Sequence, residues 1–99
     1  MKYVRYSKTS RAAALSVEPH VDSWRGRVLA EYRAALDGLT DEEVQRRLNL
    51  NPSTERPRRI ELVEGGWLRD SGRTRLTASD RKAVVWEYIA VLGAQRRML

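Results

Sequence analysis

The clearest hydrophobic pattern in the first half of the chain is a helical stripe. Its apolar positions recur every four residues at Trp24, Val28, Tyr32 and Leu36, with Leu29 and Ala35 beside them. Charged residues fill the positions between, as on an amphipathic helix that buries one face. Asp22 or Ser23 is the predicted N-cap, and Gly38 is the predicted C′ residue. A shorter helix is predicted at residues 10–17, ended by Pro19.

The segment from Leu39 to Val44 predicts the start of a second helix. Thr40 occupies the N-cap position and Glu43 stands three residues later, which is the pattern of a capping box. Leu39 and Val44 flank this cap as a hydrophobic staple. The helix is expected to end before Asn49, because Asn tolerates the left-handed backbone of a tight turn.

A third helix is predicted to begin between Asn51 and Thr54 and to end at Glu64. Pro57 is expected near its first turn, where a missing N–H costs least. The residues predicted to face inward are Ile60, Leu62 and Val63. Gly65-Gly66 then supplies the stop signal.

Beyond the two glycines the pattern becomes that of extended chain. Residues 67–76 alternate in character around a predicted turn at Ser71-Gly72, and residues 77–82 form a polar loop. Residues 83–89 are rich in β-branched and aromatic side chains, as in a strand. Helices followed by a hairpin predict an α+β fold. The predicted division is a flexible arm at 1–8, one domain at 9–89 and a tail at 90–99.

This order of elements is that of a winged helix-turn-helix, a three-helix core with a C-terminal hairpin wing. The second helix of a helix-turn-helix, which here is the third predicted helix of the chain, enters the major groove of DNA. The candidate DNA-binding residues on the third helix are Asn51, Ser53, Thr54, Arg56, Arg58 and Arg59. Those on the wing are Arg69, Arg73, Arg75, Arg81 and Lys82. Arg can bind guanine and Asn adenine through two hydrogen bonds, whereas Ser and Thr reach phosphate.

Each of these charged sets has a plainer interpretation. The arginines of the third helix can form a solvated face, paired with Glu55, Glu61 or Glu64. The wing arginines can serve only to keep the surface soluble. Their position on the two elements that a winged helix brings to DNA favours the binding role.

The charge distribution also favours a polyanionic partner. The chain has 19 basic and 13 acidic residues, and residues 51–99 carry ten of the basic and six of the acidic ones. A one-sided positive field attracts nucleic acid.

No apolar run approaches the roughly 20 residues of a membrane span, and no secretory signal is evident. With no cysteine present, the expected location is the cytoplasm of a bacterial host.

The sequence offers little enzyme chemistry. His20 is the single histidine and no cysteine stands near it, so a metal site is not expected. No nucleotide-binding or hydrolase motif is present, and so small a core predicts no substrate pocket. We therefore predict a protein that is not an enzyme and that has neither a cofactor nor a small-molecule substrate. The aromatic residues have helix or strand spacing, which predicts core packing rather than base stacking.

Four stretches of the chain resemble one family. They are Gly38–Val44, Pro57–Gly66, Arg69–Arg73 and Thr77–Trp86. They are similar to small winged helix-turn-helix proteins encoded by actinobacterial phages and prophages, over residues 9–88. The resemblance implies this fold and DNA binding. The chain departs from the family at Asp80, where a glycine is expected, and at Gly65-Gly66-Trp67, where a charged residue, a glycine and an aliphatic residue are commoner.

Two functions remain open. The first is sequence-specific binding of double-stranded DNA by a phage-type transcriptional regulator or a recombination directionality factor. The second is a protein-interaction module that docks on host transcription or replication machinery. A homodimer is also predicted, since symmetric half-sites raise affinity. Both ends of the chain carry apolar residues that one core does not cover: Ala12, Leu15, Val17, Ile89, Val91, Leu92, Met98 and Leu99.

Overall fold

A computed structural model describes residues 18–89 as three helices followed by one antiparallel hairpin. The helices are α1 (Trp24–Ala34), α2 (Asp41–Leu48) and α3 (Pro52–Glu64), and the strands are β1 (Leu68–Leu76) and β2 (Lys82–Tyr88). The predicted α+β class and element order are therefore confirmed for this part of the chain. The predicted arm at 1–8, helix at 10–17 and tail at 90–99 lie outside the described residues. Within residues 18–89, every helix is too short or too polar to cross a membrane.

The helices and the hairpin share one hydrophobic core. Its buried residues are Val28, Leu29, Tyr32, Leu39, Val44, Leu62, Trp67, Leu68 and Val85. The stripe predicted on α1 is confirmed at its centre, since three of these residues belong to it. Burial of each large side chain contributes about 1.5–3 kcal/mol, so this cluster is the main source of stability.

The two ends of the predicted α1 stripe lie outside the core. Trp24 is 44% exposed and Leu36 is 94% exposed. Leu36 is exposed because α1 ends at Ala34, so that Leu36 no longer follows the helical period. Ser23 is the N-cap, with its hydroxyl accepting the Gly26 N–H, which resolves the two alternatives offered by the sequence.

Gly38 lies where the helical layer meets the hairpin. Its φ of 80° is in the left-handed region, and a Cβ there would lie 2.6 Å from Val85 Cγ1 and 2.7 Å from the Trp86 carbonyl oxygen. This close approach lets Leu39 and Trp86 exchange two backbone hydrogen bonds of 2.9 and 2.8 Å. The prediction of Gly38 as the C′ residue of the first helix is wrong, because the glycine is needed for this contact and not for helix termination.

The start of α2 matches its prediction. Thr40 Oγ1 accepts the Glu43 N–H at 3.2 Å, and Glu43 Oε1 accepts the Thr40 N–H at 2.9 Å, which completes the capping box. Leu39 and Val44, the predicted staple, are both buried. Asn49 ends the helix at a φ of 54°, in the left-handed conformation expected of it.

α3 begins and ends where the sequence predicts, but the place of its prolines differs. Asn51 is the N-cap and Pro52 takes the first helical position. Pro57 therefore lies in the second turn and not near the first, and it has no N–H to donate to the carbonyl of Ser53. The predicted stop at Gly65-Gly66 is confirmed, with Gly66 at a φ of 82°.

Residues 71–73 form a bulge inside β1. Asp70 pairs with Trp86 and Thr74 pairs with Val84, so three residues of β1 stand opposite a single residue of β2. Gly72 has a φ of 81°, which a bulged backbone requires. The turn predicted at Ser71-Gly72 is therefore wrong, because the strand continues through these residues to Leu76.

The hairpin reverses direction at residues 77–81. The Asp80 N–H donates to the Thr77 carbonyl at 2.9 Å, and the Thr77 N–H donates to the Arg81 carbonyl at 2.9 Å. Asp80 has a φ of 62°, so it occupies the left-handed position at which the family resemblance leads one to expect glycine. Asp is tolerated there because its short polar side chain suits this conformation better than most.

Replacing Thr40 tests the α2 cap. Thr40→Ala is expected to lower the free energy of unfolding by about 1 kcal/mol, because the Glu43 N–H loses its acceptor. Thr40→Ser keeps the hydroxyl and is the matched control, expected to retain most of the stability. Denaturant titration of the three proteins measures the difference. Identical midpoints for Thr40→Ala and the unaltered protein would contradict the role given to the cap.

Candidate nucleic-acid interface

The predicted DNA-binding residues at the N-terminus of α3 form the cap of that helix. Asn51 Oδ1 accepts the Thr54 N–H at 3.1 Å and the Ser53 hydroxyl at 2.7 Å. The Asn51 side chain is thus committed to the cap through its oxygen. Asn51 and Ser53 are nevertheless exposed, and Thr54 is half-buried. This end of the helix is open to a ligand.

Arg58 is engaged by a neighbour on its own helix. Its Nε and Nη2 donate to the two carboxylate oxygens of Glu61 at 2.8 and 2.9 Å. Arg25 of α1 also donates to Glu61 at 3.0 Å, so one carboxylate holds two arginines between α1 and α3. These contacts lower the pKa of Glu61 against the opposing effect of its burial. The plainer interpretation, a paired helix face, therefore describes Arg58 in this structure.

Arg59 points toward α2 and the hairpin and is only 15% exposed. Its Nε and Nη2 donate to the two carboxylate oxygens of Asp41, each at 2.9 Å. Its guanidinium lies 4.2 Å from the centre of the Trp86 ring. Burial tends to lower the pKa of Arg59, but the hydrogen bonds and the negative charge of Asp41 raise this pKa above its usual value. Arg59, a predicted DNA-binding residue, is thus held against α2 and β2 by these contacts.

Three of the five hairpin candidates also have partners. Arg69 donates to Glu87 at 2.7 Å, and Arg73 lies 3.5 Å from the same carboxylate and donates to a backbone carbonyl. Arg75 donates to Glu43 at 2.7 Å. The charge of each is partly or fully neutralised inside the fold, which leaves less of it for a polyanion.

The remaining three cations are unpaired. Within residues 18–89, Arg56, Arg81 and Lys82 form neither an ion pair nor a side-chain hydrogen bond, and all three are exposed. They converge on one cleft of about 310 Å³ between α3, the start of α2 and the hairpin loop. Four cationic side chains line this cleft, including Arg59, against the carboxylates of Asp41 and Glu42. The cleft is therefore the part of the surface best suited to hold phosphate.

Glu42 fixes the loop that carries Arg81. Its carboxylate accepts the Ala78 N–H at 2.9 Å and the Ser79 hydroxyl at 2.8 Å, and it also pairs with Arg46. The hydrogen bond from Ser79 is the main reason that the pKa of Glu42 is lowered. The hairpin loop is thereby held against the N-terminus of α2, so Arg81 is presented from a preset loop.

A buried carboxyl lies behind the cleft. Glu55, in the first turn of α3, is fully buried and accepts a hydrogen bond from Gln45 Nε2 at 2.9 Å. Its second oxygen has no partner in the described part of the chain, nor does the buried Tyr32 hydroxyl. Burial raises the pKa of Glu55 to about 8, and the nearby Asp41 carboxylate adds to that effect. Sequence reasoning treated Glu55 only as a surface partner for arginine, and no local signal distinguishes it.

Neither a metal site nor a related protein adds to this geometry. Residues 18–89 contain no group of three or more His, Cys, Asp or Glu side chains that could hold a metal ion. The Nδ1 atom of His20 accepts the Asp22 N–H. In comparisons with protein-family models, curated proteins and solved structures, the chain matches none. The functional argument therefore rests on the cleft and on the surface of α3.

Replacing Glu55 tests its buried carboxyl. Because its folded pKa of about 8 lies above the ordinary value of 4.5, the folded chain binds an extra proton between these values. This group should therefore make the protein less stable as pH rises from about 5 to about 8. Glu55→Gln keeps the acceptor for Gln45 and carries no charge. Unfolding curves at several pH values should show a flatter dependence and higher stability at pH 8 in the variant. Parallel curves would contradict the assignment.

Replacing Arg59 tests whether it is a structural residue. Arg59→Ala leaves the Asp41 carboxylate without its main partner and uncovers the Trp86 ring. We expect a loss of about 2 kcal/mol or more in unfolding free energy, toward the low end for a buried pair because Asp41 keeps some exposure. Arg46→Ala, which removes an exposed pair on α2, is the control and should cost less than about 1 kcal/mol. Equal effects would place Arg59 among the ordinary surface charges.

Proposed function

We propose that the protein is a small winged helix-turn-helix protein that binds double-stranded DNA. In this proposal α2 and α3 form the helix-turn-helix, α3 faces the major groove and the hairpin is the wing. The observation that carries it is the convergence of Arg56, Arg81 and Lys82 on one cleft. These cations come from α3 and from the hairpin, the two elements that a winged helix presents to DNA. Its role as a phage-type transcriptional regulator, without enzyme activity, stays a prediction.

The unpaired state of these cations matters for binding. An arginine already held by a carboxylate must give up that contact, or share it, before it can bind phosphate. Arg56, Arg81 and Lys82 have no such contact within residues 18–89, so their full charge is available. Each phosphate they neutralise releases condensed counterions, which is the main sequence-independent driving force for DNA binding.

The other candidates take different parts in the proposal. Ser53 and the exposed cap at Asn51 lie at the N-terminus of α3, where hydroxyl and backbone groups commonly approach phosphate. Arg58 and the paired hairpin arginines contribute to the field around the site rather than to direct contacts. The predicted homodimer stays a prediction, since most of the apolar residues that motivated it lie outside the described range.

Alanine variants of the three unpaired cations test the proposal. Arg56→Ala, Arg81→Ala and Lys82→Ala should each weaken binding to a random-sequence duplex and lower the slope of log affinity against log salt by about one unit. The matched control is Arg69→Ala, whose side chain is exposed but paired with Glu87. It should change the slope much less. Fluorescence anisotropy across a salt series measures all four.

Two outcomes would contradict the proposal. If the folded protein binds no duplex even at low salt, the DNA-binding role fails, and docking on another protein becomes the better account. If Arg69→Ala weakens binding as much as the cleft variants do, the interface is a diffuse charged surface and the cleft is not its centre.

A further inference from the structure

The outward face of α3 is apolar at its centre. Ser53, Pro57, Ile60 and Glu64 recur at intervals of four, three and four residues, so they form one stripe along the helix. The opposite side of the helix holds Glu55 and Leu62, both fully buried. Ile60 is 43% exposed, although the sequence predicted it to face inward. The middle of the outward face of α3 thus presents an exposed isoleucine and a half-buried proline, with Arg56 beside them.

Resting on the proposed function, we infer that Ile60 and Pro57 contact the methyl groups of thymine in the major groove. The 5-methyl group of thymine is the apolar group that the major-groove edge of a base pair offers, and aliphatic side chains bind it. Two of the three arginines of this helix are held elsewhere, Arg58 by Glu61 and Arg59 by Asp41. The third, Arg56, lies beside the stripe, where it lines the cleft. The chemistry left on the outward face therefore matches A·T base pairs.

Charge on either side of the stripe supports a duplex as its occupant. Arg56 flanks the stripe on α3, and the cleft on that side continues to Arg81 and Lys82. These cations would hold the phosphates of one strand while the apolar centre faces the bases. Glu64 marks the far end of the stripe, where its carboxylate repels phosphate. The N-terminal two-thirds of α3, including Ile60, is therefore the part that enters the groove.

Duplexes that differ only in this methyl group test the inference. The first pair is a 20-base-pair alternating A·T duplex and the same duplex with deoxyuridine in place of thymidine. The second pair is an alternating G·C duplex with and without 5-methylcytosine, which adds a methyl group at the same position in the groove. Loss of the methyl should weaken binding about fourfold for each group that is buried, and its addition should strengthen binding by a similar factor.

Variants of Ile60 assign the effect to this side chain. Ile60→Ala should lose most of the discrimination between thymidine and deoxyuridine duplexes and keep only the part that Pro57 supplies. Ile60→Val keeps a branched apolar side chain and should retain most of the discrimination. Leu36→Ala is the matched control, because Leu36 is also an exposed apolar residue but lies away from α3, at the end of α1. It should discriminate as the unaltered protein does. Thermal unfolding confirms that each variant is folded.

The outcomes separate this inference from the proposed function. Salt-dependent binding that is equal for thymidine and deoxyuridine duplexes overturns the methyl contact and leaves DNA binding intact. Discrimination that stays at its full value in Ile60→Ala also overturns it, because the methyl group would then act through duplex shape. Absence of binding to all four duplexes overturns both.

Discussion

The contact of Arg59 with Asp41 and Trp86 holds together three elements that are distant in the sequence. The side chain leaves α3, forms two hydrogen bonds with the first residue of α2 and covers a ring on β2. The backbone of Trp86 pairs with Leu39 at the same place. Side chain and main chain therefore fix the hairpin against the helices at one point. The cleft between α3 and the hairpin loop depends on this joint, because it exists only while the two elements keep their relative position.

The three acidic residues at the start of α2 extend this joint. Negative charge is favourable at a helix N-terminus, and the capping box explains Glu43 without any tertiary contact. Each acid nevertheless has a second partner from a distant element. Asp41 binds Arg59, Glu42 binds the loop at Ala78 and Ser79, and Glu43 binds Arg75. The acidic residues that stabilise the start of α2 thus also anchor α3, β1 and the hairpin loop.

The features that could be predicted from the sequence are those decided within a few residues. The capping box at Thr40, the left-handed Asn49 and the glycine stop after α3 each follow from backbone sterics and local hydrogen bonds.

The features that could not be predicted depend on long-range partners or on small shifts in helix ends. The Arg59 partner is 18 residues away and the Arg75 partner is 32 residues away, so charge spacing along the chain says nothing about either. Ile60 follows an apolar pattern but faces outward, because the core side of α3 is set by Glu55 and Leu62. A buried carboxyl at such a position contradicts the usual preference for apolar residues. Of the three residues predicted to face inward, Leu62 and Val63 therefore do so and Ile60 does not.

Net charge is consequently a poor guide to the charge that this protein has available for the proposed DNA binding. Of the eight cationic side chains proposed as DNA contacts, five are held by carboxylates of the fold and three are not. The carboxylates near the cleft would repel phosphate if they were alone, but Arg59, Arg46 and Arg75 neutralise them. What remains is a small positive centre on a loop already fixed by Glu42, so binding orders little additional backbone. Such a centre contacts few phosphates. In the proposed DNA-binding role, specific affinity would come from base contacts along α3 or from a second copy on the same duplex, since charge alone supplies only weak and sequence-independent binding.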